Sequence, residues 1–204
     1  MDYRHRILEE AAVLFRTYGI RAATMDMLAN RMGISKRTIY EVFKDKDELL
    51  QGVLKWMVNR QHEVMKKILN ESENVIEAIF KMLDLMRNHF QNMSPAFLLD
   101  MKRYRKEILK KLAEKNELPY AENNTEILER GIREGIFRDD INIEIINKCL
   151  FEVARIANDK EVFPPELFGS KNVMWHLYIN YLRGISTQAG LDLINQYDKK
   201  WVYD

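Results

Sequence analysis

The chain has 204 residues, with 32 Lys and Arg against 31 Asp and Glu and a formal net charge of +1. That balance excludes a global basic field that would draw the whole molecule onto nucleic acid, so any DNA contact has to be local. Gly and Pro are scarce, at 8 and 4, while 47% of residues are hydrophobic; with Leu, Ile, Met, Glu and Lys abundant, this predicts an all-α protein with a sizeable core.

Tyr3 to Tyr18 reads as an amphipathic helix, with Ile7, Ala11, Leu14, Phe15 and Tyr18 on one stripe and Gly19 as its stop. It carries no chemistry of its own and is expected to brace the next two helices, with Arg4 and Arg6 on a solvated face. The stretch Thr24–Leu50 then spells two short helices, a tight turn between them and the start of a third. Thr24 suits the N-cap of the first, whose apolar face is Met25, Leu28, Ala29 and Met32. Gly33 suits a left-handed exit, and Ser35 caps a second helix, Lys36 to Phe43, in which Ile39, Val42 and Phe43 recur at helical spacing. This is the pattern of a helix-turn-helix, a shape that also occurs as a plain packing unit.

The first turn of the second helix holds Lys36, Arg37 and Thr38, with Tyr40 one turn on from Lys36. Such a turn suits the floor of a DNA major groove. Arg and Lys donate to guanine, and hydroxyls reach phosphates or base edges. Lys36 and Arg37 are expected to read bases and Thr24, Tyr40 and Lys46 to hold phosphates, with Ser35, Thr38 and Lys44 completing the DNA-binding set. Asp47 is expected to cap the next helix, whose N-terminus beside Lys46 makes a natural phosphate seat. The local charge excess is modest: Arg31, Lys36, Arg37, Lys44 and Lys46 stand against Glu41 and Asp45.

These residues resemble the N-terminal DNA-binding domain of TetR-family transcriptional regulators. The match is carried by Thr24, Ala29, Gly33, Ile34, Ser35, Thr38, Ile39, Tyr40, Phe43, Lys46, Leu49 and Leu50, and by the upstream Ala-x-x-Leu-Phe with its following Tyr-Gly. It spans about the first fifty residues and is architectural beyond them. Glu41 departs from the pattern, where relatives often carry an aromatic residue or histidine. An acid there repels phosphate but can accept from the N4 amine of cytosine; the reading favoured is that it turns back to Lys44 or Lys46.

From Asp47 a long helix is expected to run to about Glu71, with Leu50, Val53, Leu54, Met57, Val64, Met65 and Ile68 as its stripe. Further helices are expected over Asn74–Met93, from Ser94-Pro95, and from Asn124-Thr125 to about Glu134. Lys102 to Lys111 is dense in charge and reads as a solvated face; Leu118-Pro119-Tyr120 reads as a break. Gly-Ile-Phe-Arg-Asp-Asp-Ile, 135–141, is a connector, and the resembled family has a similar G-x-F-R before its penultimate helix. Helices over Asn142–Asn158, from near Lys171 to Leu182, and over about Thr187–Lys200 close the chain, with Arg183-Gly184-Ile185 ending or kinking the second of these.

Enzyme signatures are missing: there is no G-x-S-x-G elbow, phosphate-cradling glycine loop or H-E-x-x-H. His5, His62, His89 and His176 lack companions at metal-ligand spacing, and Cys149, the one cysteine, reads as a packed small hydrophobe. No enzyme activity, metal or cofactor is expected. A lone cysteine leaves no internal disulfide, no run approaches the ~20 apolar residues of a membrane span, and charges interrupt the first helix where a leader would be apolar; a cytoplasmic protein is expected. Trp56, Met57, Met65, Met82, Met86, Phe90, Phe97, Met101, Tyr104, Phe151 and Trp175 supply adaptable apolar side chains. Each alone reads as core; as a group they suit an apolar cavity between helices, and the resemblance implies an effector pocket in this part of the chain.

The expectation is an all-α, ligand-responsive transcriptional repressor: a three-helix helix-turn-helix head, residues 1–47, joined by a long helix to a helical effector-binding and dimerisation body, 48–204. Two heads of a homodimer would read a pseudo-palindromic operator, the dimer forming through the helices at 142–158 and 171–182, and a small apolar or amphipathic effector would release it. The alternative is a helical protein-binding adaptor in which the head only packs.

Overall fold

The computed structural model of the chain describes residues 3–91, 93–101, 120–157, 159, 161–168 and 170–201. These form α1 (Tyr3–Tyr18), α2 (Met25–Met32), α3 (Lys36–Val42), α4 (Lys46–Glu71), α5 (Val75–Gln91), α6 (95–101 of the described residues), α7 (Tyr120–Arg133), α8 (Ile143–Ala157), α9 (Pro165–Phe168), α10 (Ser170–Ile185) and α11 (Gln188–Trp201). The charge-dense segment Lys102–Lys111 and the Leu118-Pro119 break lie outside the described residues.

Side-chain caps set most boundaries. The Thr24 hydroxyl oxygen accepts from the Met27 N–H at 3.2 Å, and Asn74 and Asn142 accept from Glu77 and Ile145 to open α5 and α8. Gly33, at φ 66°, ends α2 with paired return bonds, Ile34 N–H to the Ala29 carbonyl and Gly33 N–H to that of Asn30. The helix α4 is opened by Asp45 instead of Asp47: the Glu48 N–H donates to Asp45 at 2.8 Å, and the Glu48 carboxylate returns to the Lys44 N–H at 2.7 Å. Asp45-x-x-Glu48 is a capping box, so Asp47 falls inside the first turn, where its charge still suits the positive end of the helix. A later boundary also moves: α7 is already helical at Tyr120, the first described residue there, ahead of the expected Asn124, while α10 ends at Ile185, within the expected Arg183-Gly184-Ile185, where the Ile185 carbonyl accepts from the Arg138 N–H.

The described chain divides into two compact units. The first holds the residues up to Val64 with those from Asp84 to Met101; the second holds Met65–Leu83 with the residues from Tyr120 on. In the first, Ile7, Leu8, Ala11, Leu14 and Phe15 of α1 meet Leu28, Ala29 and Met32 of α2, Ile39 and Phe43, and Leu49, Leu50, Val53 and Leu54 of α4. The head core therefore runs past residue 47 along α4. It also takes in Phe97 of α6, whose Ser94 cap and Asp100 bind back: the Ser94 N–H donates to the Arg16 carbonyl and the Arg21 N–H to Asp100 at 3.0 Å.

In the second unit, Val75, Ile76, Ile79 and Phe80 pack with Leu128, Ile136, Phe137, Ile179, Leu182, Ile185 and Ile194. The connector after α7 is tied into this core. Phe137 pairs with Ser186 in an isolated antiparallel bridge, Thr187 donates to the Ile136 carbonyl, and Arg138 grips both Asp140 and the Gly184 carbonyl. Arg130 fastens α7 to the end of α4, donating to the carbonyls of Leu69 and Ser72 and pairing with Glu134.

Candidate nucleic-acid interface

Two capped helices at a fixed turn produce one exposed face. Ile39 and Phe43 are fully buried, and this anchors α3 with its opposite side outward. On that side Lys36, Arg37, Tyr40 and Glu41 are exposed, Tyr40 to 45%. Thr38 is half-buried: its N–H donates to the Ser35 hydroxyl oxygen and the two hydroxyls lie 2.8 Å apart. Ser35 and Thr38 thus form the cap that presents the other side chains.

Each of the two cations in this first turn carries an acid. Lys36 Nζ is 2.7 Å from Asp26 Oδ2, and this hydrogen bond raises the lysine above its ordinary pKa. Arg37 Nε is 3.2 Å from Glu41 Oε1. Glu41 accordingly turns to Arg37, one helical turn back, and not to Lys44 or Lys46. Beyond Val42 the chain leaves the helix at Phe43, φ −131° and ψ 121°, and the exposed Lys44 follows outside α3. Arg31 pairs with Glu10 of α1 at 2.6 Å. Exposed pairs of this kind are weak, so a duplex can compete for the cations.

The Lys46 ammonium donates to the carbonyls of Arg21 and Ala23 at 3.1 and 2.5 Å. It braces the loop entering α2, where a phosphate contact was expected. Thr24 is exposed, and since its oxygen only accepts within the chain, its O–H can donate outward. Asp26 and Glu10 were not legible as partners, because both pairs join different helices and no local spacing flags them.

The described residues expected around an effector belong to different hydrophobic clusters. Trp56, Met57 and Met101 pack against the core of the first unit, and Phe97 is part of it. Trp56 is edge-on to His5, with the Arg60 guanidinium over its ring. Met65 and Met82 belong to a small cluster with Leu69 and Ala78 in the second unit, and Trp175 packs against the other cluster there. Tyr104 and the side chains of Met86, Phe90 and Phe151 lie outside the described residues. A shallow cleft, enclosing room for about one water molecule, opens in the second unit. Its walls are Ile79, Ile127, Leu128, Phe137, Leu150, Leu182 and Ile185, with Asn124, Tyr178 and Tyr181 as polar points. The two tyrosine rings stack at 6.1 Å, Tyr181 donates to the Ile146 carbonyl, and burial pushes both phenols above their ordinary pKa. Tyr178 and Tyr181, three residues apart on one helix face, were a legible signal that sequence reasoning missed.

On α8 the outward side carries Ile145, Cys149, Glu152 and Ile156, with Ile145 64% and Ile156 37% exposed. Cys149 is therefore a surface residue and not the packed one expected. Among the described residues no group of three or more His, Cys, Asp or Glu is placed to hold a metal, and no helix is long and apolar enough to cross a membrane.

Residues 7–53 match the model of a family described as bacterial regulatory proteins, tetR family. The chain is 37% identical over 93 residues to the HTH-type transcriptional regulator YhgD of Bacillus subtilis, covering 44% of this chain and 49% of YhgD; it thus spans about half of that relative. It is 26% identical over 166 residues to the HTH-type transcriptional repressor KstR2 of Mycobacterium tuberculosis, covering 76% and 78%. The solved structure of KstR2 superposes with a TM-score of 0.52 over 92% of this chain and 96% of that one, at 20% identity. A transcriptional regulator from Cytophaga hutchinsonii gives a TM-score of 0.61 over 90% and 98%, at 22% identity. The segment matched by the family model coincides with the α1–α4 core that holds α3 outward.

Proposed function

We propose that this chain, whose residues 7–53 match the family described as bacterial regulatory proteins, tetR family, is a homodimeric operator-binding repressor released by a small apolar or amphipathic effector. The observation that carries this reading is the exposed trio Lys36, Arg37 and Tyr40 on a capped helix whose other face is fully buried. An adaptor has no use for two cations and an aromatic ring held together in solvent, whereas a major groove takes all three. Lys36 and Arg37 read base edges, Thr24, Tyr40 and Lys44 hold phosphates, and Lys46 keeps the entry loop of α2 in place.

The outward α8 stripe, with α10 beside it, supports pairing of two chains, which one short head needs for tight specific binding. The cleft among Asn124, Tyr178 and Tyr181 supports an effector of mixed apolar and polar character. The space it encloses is about that of one water molecule, far below the roughly 300–1,000 Å³ of most ligand pockets, so an effector enters only by selecting a more open state. KstR2 is described as a ketosteroid transcriptional regulator and an HTH-type transcriptional repressor. The helix α4 runs unbroken from the head, where Leu49 and Leu50 are core, to Leu69 in the second unit. A ligand that prefers one posture of α4 therefore changes operator affinity.

The test is selection of bound duplexes from a random pool by the purified full chain, followed by titration of the selected site with Arg37→Ala. A pseudo-palindrome with one position relaxed in the variant is expected; no enrichment by the parent protein would sink the reading.

A further inference from the structure

We propose that Glu41 sets the base preference of α3 by holding Arg37 as a guanine reader, an inference that rests on α3 being the DNA-contacting helix. Arg37 and Glu41 stand one turn apart on the outward face, their side chains 89% and 60% exposed, with Nε and Oε1 3.2 Å apart. Folding gives little reason for this pair, because an exposed i,i+4 bridge adds almost nothing to stability. Long-range electrostatics opposes it, because an acid facing the phosphates weakens sequence-independent binding.

The geometry supplies the reason. A guanidinium is a planar fork of five N–H donors. A carboxylate seated on Nε occupies one edge and leaves both terminal Nη groups to donate side by side, the arrangement that matches O6 and N7 of guanine. The tether also removes rotamer freedom from Arg37 before the duplex arrives, so less is lost on binding. The neighbouring row repeats the layout, with Lys36 held by Asp26 at 2.7 Å. Glu41 is thus a positioning residue, trading non-specific attraction for discrimination at one base pair.

The experiment compares the full-length parent with Glu41→Gln, Glu41→Ala and Arg37→Ala, each selected against a random duplex pool and titrated with the parent's operator and an unrelated duplex. Arg37→Ala identifies the guanine that the pair reads. Glu41→Ala is expected to lose about tenfold of the discrimination at that guanine while binding the unrelated duplex about two- to threefold tighter. Glu41→Gln keeps an acceptor for Nε without the charge, so it retains most of the discrimination and shows the same rise in unrelated binding. Thermal unfolding is expected to coincide for all four proteins. Unchanged discrimination in Glu41→Ala overturns the proposal and leaves DNA reading intact. A cytosine preference lost with the guanine preference kept overturns it in favour of direct readout by Glu41. A lowered melting temperature with uniform loss over all sequences reduces the residue to a structural one, and a parent that enriches no sequence removes this inference together with the function on which it rests.

Discussion

The Lys46 ammonium donates to the Ala23 carbonyl at 2.5 Å, fastening the first turn of α4 to the segment that enters α2. A second bond to the Arg21 carbonyl doubles the link. Lys46→Met is expected to destabilise the head by about 1 kcal/mol, the low end for charge-assisted hydrogen bonds because the site is half-exposed. Because its charge is committed inside the protein, the variant should weaken all duplexes alike while leaving the salt dependence of binding as it was. Lys44→Met, at an exposed position, should instead reduce the salt slope by about one. Titrations at several salt concentrations separate the two.

Gly131 of α7 lies under Phe137. A Cβ at position 131 would sit 2.0 Å from Phe137 Cδ2, and the ring cannot retreat because it is 2% exposed and its own strand-like segment is bonded to residues 185–187. Gly131→Ala is expected to cost ~1–3 kcal/mol or more in urea unfolding, as overpacked cores do. Combining it with Phe137→Leu should cost less than the sum of the single changes, since the smaller side chain makes room for the methyl and the methyl fills part of the space it leaves.

The division between what is and is not legible in the chain follows the range of the interactions. Thr24, Gly33 and Ser35 announce α2 and α3 because caps and left-handed exits are local, settled within four residues. Asp45 is legible on the same grounds, through Asp45-x-x-Glu48, although the expectation fell on Asp47. The partner of Lys36 on another helix and the burial of Phe97 beside α1 depend on contacts far apart in sequence. The proposed cavity shows the limit most clearly. Met and aromatic residues suit both core and pocket, and composition cannot distribute Trp56 to one unit and Trp175 to the other.

Glu77 makes the stability of the second unit depend on pH. Its carboxylate accepts from Lys81 and from the Glu73 N–H, and these hold it below the ordinary value of 4.5. A depressed folded-state pKa means the contribution is fully present above the unfolded value and is lost as pH falls through the folded one. Stability measured from pH 6 downward is thus expected to fall once the pH passes below about 4.5, and Glu77→Gln should flatten that part of the profile. Lys81→Met should also shrink the decline, because the folded pKa moves back toward the unfolded one, which fixes the upper edge of the window. An unchanged profile in both variants would show that other groups carry the acid sensitivity.

Ile145 is the test of assembly. It is 64% exposed, and with Cys149, Glu152 and Ile156 it marks one side of α8 at spacings of four, three and four, the seam of a helix awaiting a partner. Ile145→Glu should leave the fold of the single chain intact, because surface changes away from a packed contact cost about 0.5 kcal/mol or less. In a dimer the same change places two carboxylates in the interface, where unpaired charge is costly. The expected result is a shift from dimer to monomer in sedimentation at micromolar protein, with an unchanged melting profile at low concentration. Operator binding should fall with it, because a half-site engaged by one head forfeits the second head's effective concentration. A parent protein that sediments as a monomer under the same conditions would remove the dimer from the mechanism, and a dimeric Ile145→Glu variant would move the interface away from this face of α8.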